Sequence, residues 1–384
     1  MRLHEYEAAE LFKNAGIPVP RQRAASSPEE AVHIAGEIGY PVMLKAQVLV
    51  GGRGIAGGIR TAREPDEAGT VSQALLAMKV KGFPVRELLV AGMEDVEREL
   101  YLGITVDGFE GKPVVVVSAE GGVSIEEVAR KNPEKIASLH VDSAEPLLPY
   151  QAREVLSRIE LPVPLRIRCA DILVRLYEVF RENDALIAEI NPLGVRRDGE
   201  VVALDAVLEL DDSAFFRSHV SVPRKSAKIE NDLERRGAEI GVTYVDLEGD
   251  IGIIASGAGL GMATMDIIGQ RYRPANFLET GGAITEELLY RSMELVMMKK
   301  GIQAVVINVY GGINPIHEGA RGIARYIGEH SVTVPVIAKA LGNHQEETWD
   351  ILRSAGVHVV TDVATEKVAE RLHELLGEEG ITRR

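Results

Sequence analysis

Two patterns of apolar spacing divide the chain. Up to about residue 208, strand-like apolar runs mostly adjoin one another, with a few helical stretches between them; after Tyr244, short apolar strands alternate strictly with helices. In the first part, Leu3, Tyr6, Leu11 and Phe12 predict a helix that Gly16 ends, and residues 17–20 run extended because each proline disfavours helix before it. Ser27-Pro28-Glu29-Glu30 predicts a helix start, with Ser27 as cap, Pro28 in the first turn and Glu30 completing a capping box. Further helices are predicted near 66–78, 150–159 and 165–181, and strands at 41–45, 87–90, 100–106, 113–117, 185–190 and 201–208. Adjoining strands of this kind predict an α+β domain with antiparallel pairing.

In the second part, strands are predicted near 251–255, 275–278, 304–309, 334–339 and 357–360. The helix at 285–300 shows the pattern between them. Thr285 caps it, Leu288, Leu289, Leu295 and Val296 share a face, Lys299 and Lys300 meet its negative end, and Gly301 stops it. Short apolar strands joined by crossover helices make a parallel, doubly wound, flavodoxin-like sheet. The charged stretch 215–243, with Arg224-Lys225 and Glu234-Arg235-Arg236, lacks strand periodicity and reads as a linker. The expected domains are therefore 1–225 and 244–384.

Charge and composition narrow the function. Forty-three Lys and Arg against 58 Asp and Glu give a net charge of −15, which argues against a nucleic-acid binder that works by electrostatics. No apolar run approaches the roughly 20 residues that span a bilayer, and the acidic amphipathic start does not read as a signal peptide, so the expected location is the cytoplasm. The single cysteine, Cys169, lies among apolar helix residues and reads as packing.

Two segments carry candidate chemistry. Five of the eight residues 51–58 are glycine, with Arg53 among them and Lys45 on the strand before. Such a loop lets backbone N–H groups approach phosphate oxygens. It is not a P-loop, since no Gly-Lys-Ser/Thr opens a helix. It reads as a flap between strands, and a plain surface hairpin is the alternative. Farther on, 188–192 and 203–205 flank the turn Arg197-Asp198-Gly199. A three-residue loop there sets Arg196 opposite Glu200 and therefore Asn191 opposite Asp205, with Glu189 on the same face. Three converging oxygen-bearing side chains suit Mg²⁺; a solvated polar face is the alternative, and Pro192 is the residue able to disturb the register.

Met1-Arg-Leu-His-Glu-Tyr, Lys45 with Gly51-Gly-Arg-Gly, Ser118-Ala-Glu-Gly-Gly, Glu189-Ile-Asn-Pro-Leu, Leu204-Asp-Ala, Ser256-Gly-Ala-Gly-Leu and Tyr310-Gly-Gly-Ile occur in one order. That ordered set resembles the β subunits of nucleoside-diphosphate-forming succinate–CoA ligases, in the ATP-grasp superfamily, over nearly the whole chain. The resemblance implies an ATP-grasp domain followed by a CoA-ligase domain. It implies nucleotide binding by Lys45, Gly52, Arg53, Gly54, Ala91, Glu94 and Glu99, and Mg²⁺ held by Asn191 and Asp205. Glu189 would stabilise a phosphohistidine delivered by a partner α subunit, in an αβ or α2β2 assembly without nucleic acid or membrane. The implied reaction is acid + CoA + NTP ⇌ acyl-CoA + NDP + phosphate, with ATP or GTP as NTP, through an acyl phosphate. None of the nine histidines stands in the Gly-His-Ala/Ser-Gly-Ala setting of the α-subunit phosphohistidine; His317 and His344 follow strand ends and stay open.

Several residues depart from the family pattern. Val90-Ala91 replaces Val-Glu before the ribose carboxylate, leaving base preference open. The acid half changes more: Ser256 replaces an Asn, Glu279 an Asp, Asn314-Pro-Ile-His317 an Arg-Cys-Asp type loop, and Lys339 an Arg. The implied acid-binding residues are Ser256, Gly312, Ile313 and Asn314. A ligase for a different carboxylate, such as malate, is the nearest alternative. A non-catalytic binding paralogue and an ATP-grasp carboxylate–amine ligase are less compatible with Lys45, Glu189, Asn191 and Asp205 beside a doubly wound second domain.

Overall fold

A computed structural model describes residues 1–218, 229 and 231–377 and divides into the units Met1–Val222 and Pro223–Arg384. In the first unit, two antiparallel sheets carry the site. The smaller runs Gln22–Ala25, Glu87–Gly92, Val42–Gln47, Ile59–Ala62 in spatial order. The helices Pro28–Ile38 and Pro65–Leu76 pack together and against it. Alternation along Val42–Gln47 decides what each face carries. Val42, Leu44 and Ala46 enter the core under the helices, so Met43, Lys45 and Gln47 lie on the opposite face.

The larger sheet runs Val201–Ala203, Ala185–Arg196, Val96–Asp107, Lys112–Ser118, Ile136–His140, and Val207–Leu210 also pairs with Ala185–Arg196. The helices Glu5–Asn14, Pro149–Leu156 and Val163–Glu182 pack on its strands. Cys169 is buried here, and burial pushes its thiol pKa up to about 12, so it is inert packing.

Differences from the expected elements have local causes. Ser27 caps its helix by accepting from Glu30 N–H at 3.2 Å. The Glu30 carboxylate, however, reaches Ser26, whose N–H and hydroxyl both donate to one oxygen at 2.8 and 2.9 Å, two bonds where a capping box offers one. The strand expected over 201–208 is broken at 204–206 by bonds described below. The expected linker contains the helix Asp232–Ile240, capped by Asn231, which accepts from Leu233 and Glu234 N–H. Positions 219–228 and 230 of that stretch lie outside the described residues.

The second unit holds one six-stranded sheet in the order Thr243–Asp246, Asn276–Glu279, Ile251–Ala255, Ala304–Gly311, Val336–Gly342, His358–Val360. Only the Thr243–Asp246 edge is antiparallel. The five parallel strands follow the 2-1-3-4-5 order of flavodoxin-like folds, whose switch point lies between the first and third. Here that places it between Ile251–Ala255 and Ala304–Gly311, so Ser256 and Tyr310 stand at its rim. Among the described residues no helix is long and apolar enough to cross a membrane.

Candidate active site

Lys45, from the open face of the smaller sheet, reaches the larger one. Its ammonium donates to Glu5 Oε1 at 2.8 Å and to the Leu204 carbonyl at 2.5 Å. Leu3 N–H bonds Leu208 O and so fixes the start of the first helix beside this strand, which brings Glu5 into place. Arg53, the only cation of the glycine loop, donates to Glu5 Oε2 at 2.5 Å and to Asp205 Oδ1 at 2.7 Å. Glu5 is 4% exposed and Lys45 7%, so these charges are paired out of water. Burial works against the Arg53 charge, but Glu5 and Asp205 outweigh it and push the pKa up. Gly52 and Gly54 lie in the turn that carries Arg53, closed by Ala56 N–H to Gly52 O and Gly57 N–H to Gly54 O.

The hairpin expected from the sequence forms in the expected register on both sides of its break. Leu193 pairs with Ala203, and Glu189 with Val207. Between them, Leu204 N–H bonds Pro192 O, while the Leu204 carbonyl takes Lys45 and Asp205 takes Arg53 and Ala206 N–H. Those side-chain bonds hold 204–206 out of the ladder. Glu189, Asn191 and Asp205 converge. The Asn191 amide and the Asp205 charge both act on the Glu189 carboxylate. Burial pushes the Glu189 pKa up; the nearby Asn191 amide opposes this, and Asp205 adds to it.

Tyr101 and Gly103 belong to the site although the sequence reading gave them no role. Gly103 pairs with Glu189 across the sheet. The Tyr101 ring lies over Gly103, where a Cβ would come within 2.8 Å of ring carbon Cζ. Glycine thus leaves room for the Tyr101 hydroxyl, whose pKa is pushed up by burial and by the neighbouring Glu189 and Glu126 charges. Alternation of Tyr101 and Gly103 on one strand face was the available signal.

The segment Ser118-Ala-Glu-Gly-Gly closes over the other end. Gly122 N–H donates to Asn191 Oδ1 at 2.8 Å, and Asn191 Nδ2 donates to Val123 O at 3.1 Å. Gly121 N–H bonds Glu99 O, and a Cβ at Gly121 would stand 2.4 Å from Leu100 O, so only glycine fits there. Glu99 lies against Gly122. Glu94 instead pairs with Arg196 at 2.8 Å. Ala91 is 1% exposed and pairs with Gln22 on one side and Met43 on the other, which leaves its backbone inside the sheet.

Two carboxylates and an amide oxygen on one face make a hard-oxygen donor set. Burial raises the Glu189 pKa and the Asp205 charge adds to it, a cost that a cation would relieve; the donor set of Asn191 and Asp205 is of the hard-oxygen kind that Mg²⁺ takes.

In the second unit, Ser256 Oγ accepts from Tyr310 N–H at 2.8 Å and donates to Tyr310 O at 3.2 Å. Its hydroxyl therefore joins two strand ends. Asn314 Nδ2 donates to the Gly282 carbonyl, and Gly312 and Ile313 are exposed between them.

An ATP-grasp domain family matches residues 2–195, and a CoA-ligase family matches residues 254–372. The β subunit of an ADP-forming succinate–CoA ligase from Halorubrum lacusprofundi is 42% identical over 361 residues, covering 94% of this chain and 95% of that one. The chain belongs to the succinate–CoA ligase β-subunit family. The GDP-forming β subunit from Thermus thermophilus is 41% identical, with 94% and 95% covered. An ATP citrate lyase from Methanothrix soehngenii, solved with citrate and coenzyme A, superposes with a TM-score of 0.75 over 97% of this chain and 99% of that one. At 19% identity that likeness shows the fold alone. As a family member the chain is a ligase acting as one subunit, with an ATP-grasp part that binds nucleotide and a CoA-ligase part.

Proposed function

We propose that this β subunit works with a phosphohistidine-bearing α subunit to catalyse acid + CoA + NTP ⇌ acyl-CoA + NDP + phosphate. Residues 1–225 would bind nucleotide, and 244–384 would help to bind the acid and CoA. The observation that carries this reading is the meeting of two sheets at which Arg53 bonds Asp205 and Lys45 bonds the adjoining Leu204 carbonyl, with Asp205 and Asn191 both acting on Glu189. Phosphoryl transfer needs charge neutralised and reactants aligned. Lys45 and Arg53 supply the positive charge. Mg²⁺ on Asn191 and Asp205 would neutralise phosphate oxygens. Glu189, beside Tyr101, would orient the incoming imidazole and stabilise its cation. The phosphoryl group passes from nucleotide to the imidazole nitrogen and then to the acid carboxylate. CoA thiolate attack on the acyl phosphate releases phosphate and forms the thioester.

Lys45→Ala and Asp205→Asn, each assembled with the partner subunit, should lower phosphoryl transfer by on the order of 10²-fold. Rapid-quench formation of the phosphorylated α subunit measures this. Near-normal rates in both variants would overturn the assignment.

The acid is the open part of the reading. Ser256 spends its hydroxyl on Tyr310, so its short side chain leaves room where the family's Asn would reach the substrate. That favours an acid larger than succinate or one with a further polar group, malate being one candidate. Ser256→Asn should shift kcat/KM toward succinate by about 1–3 kcal/mol relative to the preferred acid. If wild type already prefers succinate and the variant changes nothing, the altered-acid reading fails.

A further inference from the structure

At the carboxyl edge of the parallel sheet, apart from the residues given roles above, His317, His344 and Glu347 come together. One ligand-capable atom from each lies within 4.8 Å of the others. His317 is the second residue of the helix Ile316–Glu329, which follows the strand Ala304–Gly311. His344 follows the neighbouring strand Val336–Gly342 and immediately precedes the helix Gln345–Ser354, whose first turn carries Glu347. The two imidazole rings stand 4.5 Å apart, tilted by 45°.

Four features favour a metal over a chance cluster. His344 Nδ1 and Glu347 Oε2 are 3.5 Å apart, and two ligands at about 2.0–2.1 Å on a tetrahedral zinc sit roughly 3.3–3.5 Å from each other. His317 Nδ1 is buried without a hydrogen-bond partner, an expensive state for a polar nitrogen. The other oxygen of Glu347 accepts from Arg321 at 3.1 Å, the kind of outer bond that orients a ligating carboxylate. His344 has φ +60°, a left-handed conformation disfavoured for a residue with a side chain. It is held there by its neighbours. Asn343 N–H bonds Gly311 O at 2.8 Å, Asn343 Nδ2 bonds Ile313 O at 3.1 Å, and Thr348 Oγ1 bonds His344 O at 2.8 Å.

The geometry points to a three-ligand site for a zinc-class divalent ion on His317, His344 and Glu347, with a fourth position open to water or a carboxylate oxygen. Two imidazoles and one carboxylate select zinc or a similar transition ion over Mg²⁺ and Ca²⁺, which take oxygen. This site is independent of the phosphoryl-transfer reading.

The test uses the full chain, stripped with chelator and titrated with Zn²⁺ against a chromophoric competitor, with Mg²⁺ in excess. One zinc per chain at roughly micromolar free metal or below is expected. Co²⁺ in its place should give the intense visible bands of a four-coordinate site. His317→Ala and His344→Gln should each weaken binding by about 100-fold or more, and Glu347→Gln by about tenfold. His330→Ala, on a separate tyrosine-packed face, should change nothing. Because His344 is half exposed, its variant keeps the fold and carries the test if His317→Ala does not. No zinc uptake, uptake that survives His344→Gln, or the weak spectrum of six-coordinate Co²⁺ would each overturn the site.

Discussion

Glu5→Ala should destabilise the Met1–Val222 unit by about 3–5 kcal/mol, because removing one partner of a buried ion pair leaves uncompensated charge. Here two cations lose their shared carboxylate. Lys45 keeps only the Leu204 carbonyl, and Arg53 keeps Asp205 and a long contact to Ala46 O. Urea denaturation of wild type and variant measures the loss. Mg-nucleotide should restore more stability to the variant than it adds to wild type, since phosphates supply the missing negative charge. An unchanged midpoint, or equal gains on adding nucleotide, would show that Glu5 does not neutralise these cations.

Glu189→Gln separates two properties of one residue. Phosphate exchange between nucleotide and the α-subunit histidine should fall by on the order of 10³-fold or more, while Mg-nucleotide binding stays near normal. Stability should move the opposite way. The raised Glu189 pKa means that the folded chain favours the protonated carboxyl. The associated stabilisation is full below the ordinary glutamate pKa and is lost as pH rises through the raised one. Glutamine stays neutral, so the variant should melt higher than wild type at pH 7–8, and the gap should close near pH 4. Loss of nucleotide binding would make Glu189 a metal or structural residue. A melting gap that does not depend on pH would contradict the electrostatic account.

What the sequence discloses here is local or periodic. The Thr285 cap, the parallel alternation after Tyr244 and the 188–205 hairpin register could be read because each rests on spacing within a short segment. The helix Ile125–Lys131 carries a local signal too, since Ser124 caps it by accepting from Glu127 N–H. The strand Gln22–Ala25 had none. Its residues acquire strand geometry only by pairing with Glu87–Gly92.

The site divides in the same way. Lys45, Arg53, Glu189, Asn191 and Asp205 stood out by residue type and neighbours. Glu5 did not, because its role depends on contacts with residues 40 and 48 positions later. Tyr101 comes under the Glu189 charge only through Gly103 and a strand some 85 residues on. Ser256 shows the limit from the other side. Its position at a strand end was legible, but the use of its hydroxyl on Tyr310 depends on how two strand ends meet.

On the proposed function, this chain supplies the nucleotide half of an acid–CoA ligase, and the phosphorylated histidine belongs to its α partner. The most direct measurement is CoA-thioester formation across a panel of dicarboxylic and hydroxy acids, with ATP and with GTP, by the chain alone and by the chain co-purified with its α partner. Mg-nucleotide binding but no thioester is expected from the chain alone, and nucleotide-dependent thioester with phosphate release from the assembled pair. Robust thioester synthesis by the single chain, or an assembled pair inactive with every acid and both nucleotides, would contradict the proposed function.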